Sequence, residues 1–191
     1  MRGCGDNMLN KIQKRDDMLI EKVARLHRPF LNKFMRFLTF LGDQGKIWAL
    51  ILAFIIWRTR SVYIFVSIFV SVLFAFISSE VIIKRIVGRV RPCHKIDEEI
   101  LVLKKIPKYY SFPSSHSATS FAMLTMSIIH CGLGVTLVVL VLAIGISFSR
   151  FYLQAHYFTD VMCGIVIGVV FSLIMARIIY LLFSAYAPEL M

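Results

Sequence analysis

A chain of 191 residues that is 58% hydrophobic, with a mean hydropathy of +0.75, is too apolar for a soluble globular domain. Its formal charge of +11 therefore sits in a few short segments, which points away from nucleic acid and towards phosphorylated head groups or an anionic membrane surface. Cys4, Cys93, Cys131 and Cys163 show no CxxC spacing, so no disulfide framework and no zinc site is readable. The chain reads as one all-α domain over 1–191, a polytopic transmembrane helical bundle of five to six spans.

Residues 1–36 carry nine Lys and Arg and lack the apolar core of a cleavable signal. Met8, Leu9, Ile12, Met18, Leu19, Val23 and Leu26 recur with a rough helical period. That pattern predicts an amphipathic N-terminal helix lying on the bilayer interface, although a plain polar tail fits the same composition. Pro29 breaks or restarts it. Phe37 to Trp57 reads as a first span interrupted at Gly42-Asp43-Gln44-Gly45, and Val62 to Ile83 as a second. If the stretch from Pro29 to Gly42 crosses by itself, the spans number six.

Glu80 and Lys84 have the order of a favourable i,i+4 pair. Lys84 also begins a basic series with Arg85, Arg89 and Arg91, which in isolation reads first as a membrane-surface anchor. Lys84 and Arg91 are seven apart, so a continuous helix would set both on one face, roughly 10 Å apart, where they could grip one phosphate. Residues 93–112 form a long polar loop containing Asp97, Glu98, Glu99, Lys95, Lys104, Lys105 and Lys108, which suggests a lid or binding loop. Tyr109, Tyr110 and Phe112 suit a lipid entrance or interfacial anchoring.

Pro113-Ser114-Ser115-His116 opens the next apolar run, Ala118 to Cys131, with Ser114 or Ser115 placed to cap it. A helix N-terminus with His116 beside it offers N–H donors and a proton to a phosphate. Val135 to Phe148 is a fourth span, and Tyr157 to Ala176 a fifth, with Gly164 and Gly168 at a close-packing spacing. Between them stands Ser149-Arg150-Phe151-Tyr152-Leu153-Gln154-Ala155-His156-Tyr157-Phe158-Thr159-Asp160. His156 and Asp160 are four apart, so on a helix the carboxylate could hold one ring nitrogen and leave the other as a nucleophile or base. Arg150 supplies a fork of donors for an anion. Polar residues capping two spans would look much the same, but ionisable groups at membrane depth favour function.

The parity of the spans brings these clusters together. Lys84 to Arg91 ends the second span, His116 begins the third, and Arg150 to Asp160 joins the fourth and fifth. All therefore fall on one side of the membrane. Lys84-x6-Arg91-Pro92, Pro113-Ser114-Ser115-His116 and Ser149-Arg150-x5-His156-x3-Asp160 resemble, in order and spacing, the three-part signature of the type 2 phosphatidic acid phosphatase superfamily. The second motif usually reads Pro-Ser-Gly-His, and Ser115 stands at the glycine.

The resemblance implies roles. His156 would become a phosphohistidine with Asp160 orienting it, and His116 would protonate the leaving group and later activate water. Lys84, Arg91, Arg150, Ser114 and the Ser115 amide would hold the phosphoryl oxygens. Three cations would stand in for a metal, so no metal and no cofactor is expected. The expected partners are the bilayer and a phosphorylated membrane lipid. Undecaprenyl or another isoprenyl diphosphate comes first, because Arg85, Arg89 and Lys108 could serve a second phosphate. Phosphatidylglycerophosphate, phosphatidic acid, a phosphotransfer reaction and a non-catalytic anionic-lipid binder are the alternatives. The resemblance implies a cell-membrane protein with its site on the extracytoplasmic face, whereas the excess of Lys and Arg on the site side would place that side in the cytoplasm.

Overall fold

The computed structural model describes residues 3–96, 101–103, 106–108 and 110–190. Asp97, Glu98, Glu99, Lys104, Lys105 and Tyr109 of the polar loop lie outside the described residues. The described elements are helical: α1 (Gly3–Ala24), α2 (Pro29–Gly42), α3 (Lys46–Thr59), α4 (Val62–Phe76), α5 (Lys84–Val87), α6 (Ser115–His130), α7 (Leu133–Tyr152) and α8 (Phe158–Tyr186). A π-helical stretch, Ile77–Ile83, joins α4 to α5, and short 3-10 turns complete the chain. Among the described residues, four segments are long and apolar enough to cross a membrane: Pro29–Thr59, Val62–Lys95, Leu133–Tyr152 and Phe158–Tyr186. Large apolar side chains such as Phe69, Val141, Ile144 and Leu173 point outwards from them, as in helices solvated by lipid.

α6 has only sixteen residues, about 24 Å of helix, and lies at the centre of the bundle against α4, α7 and α8. Small side chains make that possible: Ala118, Ala122 and Ser120 are fully buried. α8 approaches through Gly164 and Gly168, where a Cβ would collide with the carbonyl oxygens of Ser114 and Ala118. The glycine spacing in the last span thus serves to seat α6, and with it Ser115 and His116. Trp48, Ile55, Ile68, Met123, Val139 and Ile146 form the apolar core between α3, α4, α6 and α7.

Several boundaries differ from the sequence-based expectation. The first apolar segment begins at Pro29, which takes the first helical turn where its missing N–H costs nothing. The last helix does not stop near Ala176 but runs to Tyr186, and Arg177 is carried within it with its guanidinium over the Tyr180 ring. The helix through Lys84 ends at Gly88, whose φ of +63° is left-handed, so Arg91 lies on extended backbone and the expected two-turn register with Lys84 does not exist.

At one end of the bundle, Tyr152 donates to Asn32 Oδ1 at 2.6 Å and Thr39 bonds Ser149 at 2.7 Å, so α2 follows the last turns of α7. After the break, α3 carries on beside Val135 and Val138 at the other end. α1 docks at the same end as Tyr152. It buries Asp16, Ile20 and Val23 there, while Met8, Leu9 and Met18 stay exposed. The helix is amphipathic, but the face that packs is centred on Asp16 rather than on the predicted apolar set.

Candidate active site

His156 lies in the tight connection between α7 and α8, not on a helix. Gln154 there has a φ of +57°, and the N–H groups of Ala155 and His156 both donate to the Arg150 carbonyl, at 3.1 and 3.2 Å. The ring is 1% exposed. Its Nδ1 donates to the Ser111 carbonyl at 2.6 Å, which leaves Nε2 with the lone pair, and that atom accepts from Arg91 Nη1 at 3.0 Å. Burial first, then the nearby Arg91, Arg150 and Lys84 cations and His116, hold this imidazole well below its ordinary titration range. These contacts favour a neutral ring of one tautomer that presents a nitrogen lone pair.

Asp160 was expected to hold that ring, and it stands close, with Oδ2 3.8 Å from Nδ1. The hydrogen bond to the ring comes instead from Ser111. Because His156 precedes the helix, the carboxylate caps α8, accepting from Tyr157 N at 2.9 Å, and pairs with Arg89 at 2.6 Å. Arg89 in turn binds Asp16 of α1 at 2.7 Å and stacks on Tyr157 with its guanidinium carbon 4.0 Å from the ring centre. Asp16 also accepts from the Thr159 hydroxyl and, at 3.2 Å, from Thr159 N.

The phosphate-binding candidates converge on the same spot. Arg91 reaches Ala155 O at 2.8 Å while touching His156. Lys84 is buried and paired with Glu80. Arg150 is 5% exposed on the last turn of α7, and its Nε has no hydrogen-bond partner among the described residues, so it keeps a donor for an oxyanion. Ser115 begins α6 on ordinary helical backbone, so a serine fits where the related motif has glycine. Its hydroxyl donates to Glu80 at 2.6 Å and ties the start of α6 to the Lys84–Glu80 pair. Ser114 caps α6: its Oγ accepts from Ser117 N at 3.4 Å and from the Ser117 hydroxyl at 3.0 Å, and its N–H donates to Asp160 O at 3.0 Å. Both bonds are accepted by Ser114 Oγ, so the cap leaves the hydroxyl proton of Ser114 available to a phosphoryl oxygen.

His116 faces a different surrounding. Its Nε2 meets Asp43 Oδ1 at 2.9 Å. Asp43 was read from sequence only as part of a helix break. An acidic residue interrupting an apolar span was the available signal for it. Ser111 gave no signal, since a backbone carbonyl carries no residue-specific pattern. His116 also closes one end of an apolar cavity of about 340 Å³ lined by Trp48, Leu52, Phe69, Val72, Leu73 and Phe76 from α3 and α4. Of the side chains expected at a lipid entrance, the described Tyr110 and Phe112 do not line this cavity, and Tyr109 lies outside the described residues. His130, far from the site, bonds Ser67 at 3.0 Å and stacks edge-on with Tyr63, a structural role.

The geometry joins a buried imidazole with an accepting Nε2, three buried cations and a second histidine at the end of an apolar cavity. Comparison with known proteins agrees with it. The profile of the PAP2 superfamily matches residues 60–184. A lipid A 4'-phosphatase from Bacteroides thetaiotaomicron is 27% identical over 170 residues, covering 84% of this chain and 75% of that protein. The crystal structure of a transmembrane PAP2-type phosphatidylglycerolphosphate phosphatase from Bacillus subtilis superposes with a TM-score of 0.72 at 22% identity, covering 88% of this chain and 86% of the other. LpxE from Aquifex aeolicus superposes with a TM-score of 0.65 at 23% identity, covering 84% and 93%.

Proposed function

This chain belongs to the PAP2 superfamily, and on that footing we propose that it hydrolyses a phosphate monoester on a membrane lipid through a phosphohistidine at His156. Phosphate enters between Arg91, Arg150 and Lys84, and Arg91 shifts from Nε2 to a phosphoryl oxygen. The freed lone pair attacks phosphorus while the bond to the lipid oxygen breaks, and His116 gives that oxygen its proton. Water then attacks the phosphohistidine, His116 takes a proton from it, the N–P bond breaks and inorganic phosphate leaves. The developing charge is met by preorganised guanidinium and ammonium groups.

The observation that carries this reading is the apolar cavity that ends at His116, since it gives a lipid leaving group a place beside the proton donor. Isoprenyl diphosphate, expected from the surplus of cations, is the less supported substrate. Arg89 is engaged by Asp16 and Asp160, and Arg85 and Lys108 are exposed, which leaves charges for one phosphoryl group. The relation to a lipid A 4'-phosphatase also favours a monoester. Purified protein is expected to prefer lipid A phosphate, phosphatidylglycerophosphate or phosphatidic acid to farnesyl diphosphate by tenfold or more in kcat/KM, about 1.4 kcal/mol. The reverse preference would restore the diphosphate.

The single passage of α2 and α3 along α7 supports five crossings, with α1 on the site side. The family resemblance supports the extracytoplasmic face, and the charge balance opposes it. Cys93 is buried, so Lys95→Cys, at a half-exposed position, is the better reporter. A membrane-impermeant maleimide is expected to label it in intact cells, and labelling only after lysis would place the site in the cytoplasm.

A further inference from the structure

The residues before the matched family region supply the carboxylate that touches the second histidine. α2 ends at Gly42, and Asp43 opens the break before α3. Gln44 and Gly45 then turn through left-handed backbone at φ +57° and +69°. That reversal leaves Asp43 at the end of the apolar cavity, whose lining includes Gly42, Gln44 and His116. Gly42 is needed for the approach: a Cβ there would lie 3.1 Å from His116 Cδ2 and 2.8 Å from Ile146 Cγ2. The carboxylate is 44% exposed and the His116 side chain 19%. A contact as open as this contributes little to stability, so folding gives no strong reason for it.

We propose that Asp43 is the positioning residue for the general acid, holding His116 through Nε2 so that one defined ring nitrogen and one ring orientation serve the leaving oxygen. The inference deepens the phosphatase reading and rests on it. With Nε2 engaged, Nδ1 is the nitrogen that gives its proton to the lipid oxygen as the P–O bond breaks and takes one from water in the second half-reaction. A carboxylate suits a ring that must carry a proton, much as an acidic partner fixes the tautomer of a catalytic histidine elsewhere. Asp43 stands outside residues 60–184, so the segment that matches the family completes its acid with a residue from the preceding helix pair.

The test separates this role from a structural one. The full-length protein in detergent micelles is assayed on a lipid phosphate, whose alkoxide leaving group needs a proton, and on 4-nitrophenyl phosphate, whose leaving anion does not. In single-turnover measurements, Asp43→Asn is expected to slow phosphoenzyme formation from the lipid phosphate by about 10²-fold and from the aryl phosphate by less than about threefold, and to slow dephosphorylation alike whichever substrate was used. Asp43→Glu should recover most of the lost lipid activity. Asp43→Asn is expected to cause no further loss in the His116→Ala background, because both changes then remove one function. Equal losses of phosphoenzyme formation on the two substrates, no loss on either, or an additional loss on top of His116→Ala would overturn the proposal. If the unsubstituted protein releases phosphate from neither substrate, the phosphatase reading itself fails.

Discussion

The two histidines of the candidate site differ in what surrounds them, and the difference matches the separate roles proposed for them. His156 is sealed in, 1% exposed, with a carbonyl on Nδ1, an arginine on Nε2 and other cations nearby. Each of those neighbours favours a neutral ring with its lone pair on Nε2. His116 is half-buried at the end of an apolar cavity, with a carboxylate on Nε2. That partner suits a ring that carries and exchanges a proton. In the proposed mechanism, two identical side chains thus serve as nucleophile and acid through their different neighbours. The frames that hold them differ as well: the partners of His156 come from Arg91 and Ser111 inside the matched family region, and the partner of His116 comes from the helix break before it.

Removing each ring in turn is the most severe way to test this contrast. His156→Ala is expected to lose the acid-labile phosphoenzyme and to reduce turnover on the order of 10⁴-fold or more. His116→Ala is expected to lose about 10²- to 10⁴-fold in turnover while phosphoenzyme accumulates from an activated substrate, because hydrolysis of the N–P bond has lost its base. Rapid quench of labelled protein distinguishes the two. Normal turnover in His156→Ala protein would sink the mechanism.

A smaller effect is expected at Asp16, the buried carboxylate through which α1 reaches Arg89 and Thr159. Asp16→Asn keeps the shape and removes the charge, while Arg89 retains Asp160. Thermal unfolding in detergent should show a loss of about 1–3 kcal/mol. Turnover should fall by less than about tenfold, alike on alkyl and aryl substrates, in contrast to Asp43→Asn. A leaving-group-dependent loss at Asp16 would mean that α1 also acts on the acid.

The smallest change is expected on acidification. A histidine whose folded titration is depressed stays neutral as the pH falls through about 6.5, the ordinary imidazole value. Nitrogen-15 spectra of the His156 ring should therefore report the neutral Nδ1–H tautomer at pH 7 and still at about pH 6. Conversion to imidazolium over that interval would show that burial and the neighbouring cations do not set its charge.

Local patterning carried much of this molecule. Apolar runs bounded by Arg, Gly and Pro marked the helices, and span parity with three spaced motifs placed Lys84, Arg91, His116, Arg150 and His156 at one end. Where the pattern assumed an unbroken helix it failed. Gly88 ends the helix before Arg91, and His156 precedes α8, so the seven- and four-residue spacings meant something other than a shared helical face. A left-handed glycine or a one-residue shift of a helix start leaves hydropathy unchanged, and hydropathy was the signal being read.

By itself the sequence determined that the chain lies in a membrane, the order of its helices and which residue types would carry phosphate chemistry. Those follow from composition and from spacing along the chain. Only the tertiary structure decided the partners. Asp43 lies 73 residues from His116, Asp16 lies 143 from Thr159, and Ser111 lies 45 from His156. No local period links such positions. They meet because small residues on α6 and α8 let the central helix sit deep in the bundle, and because a break after Gly42 leaves a carboxylate beside His116.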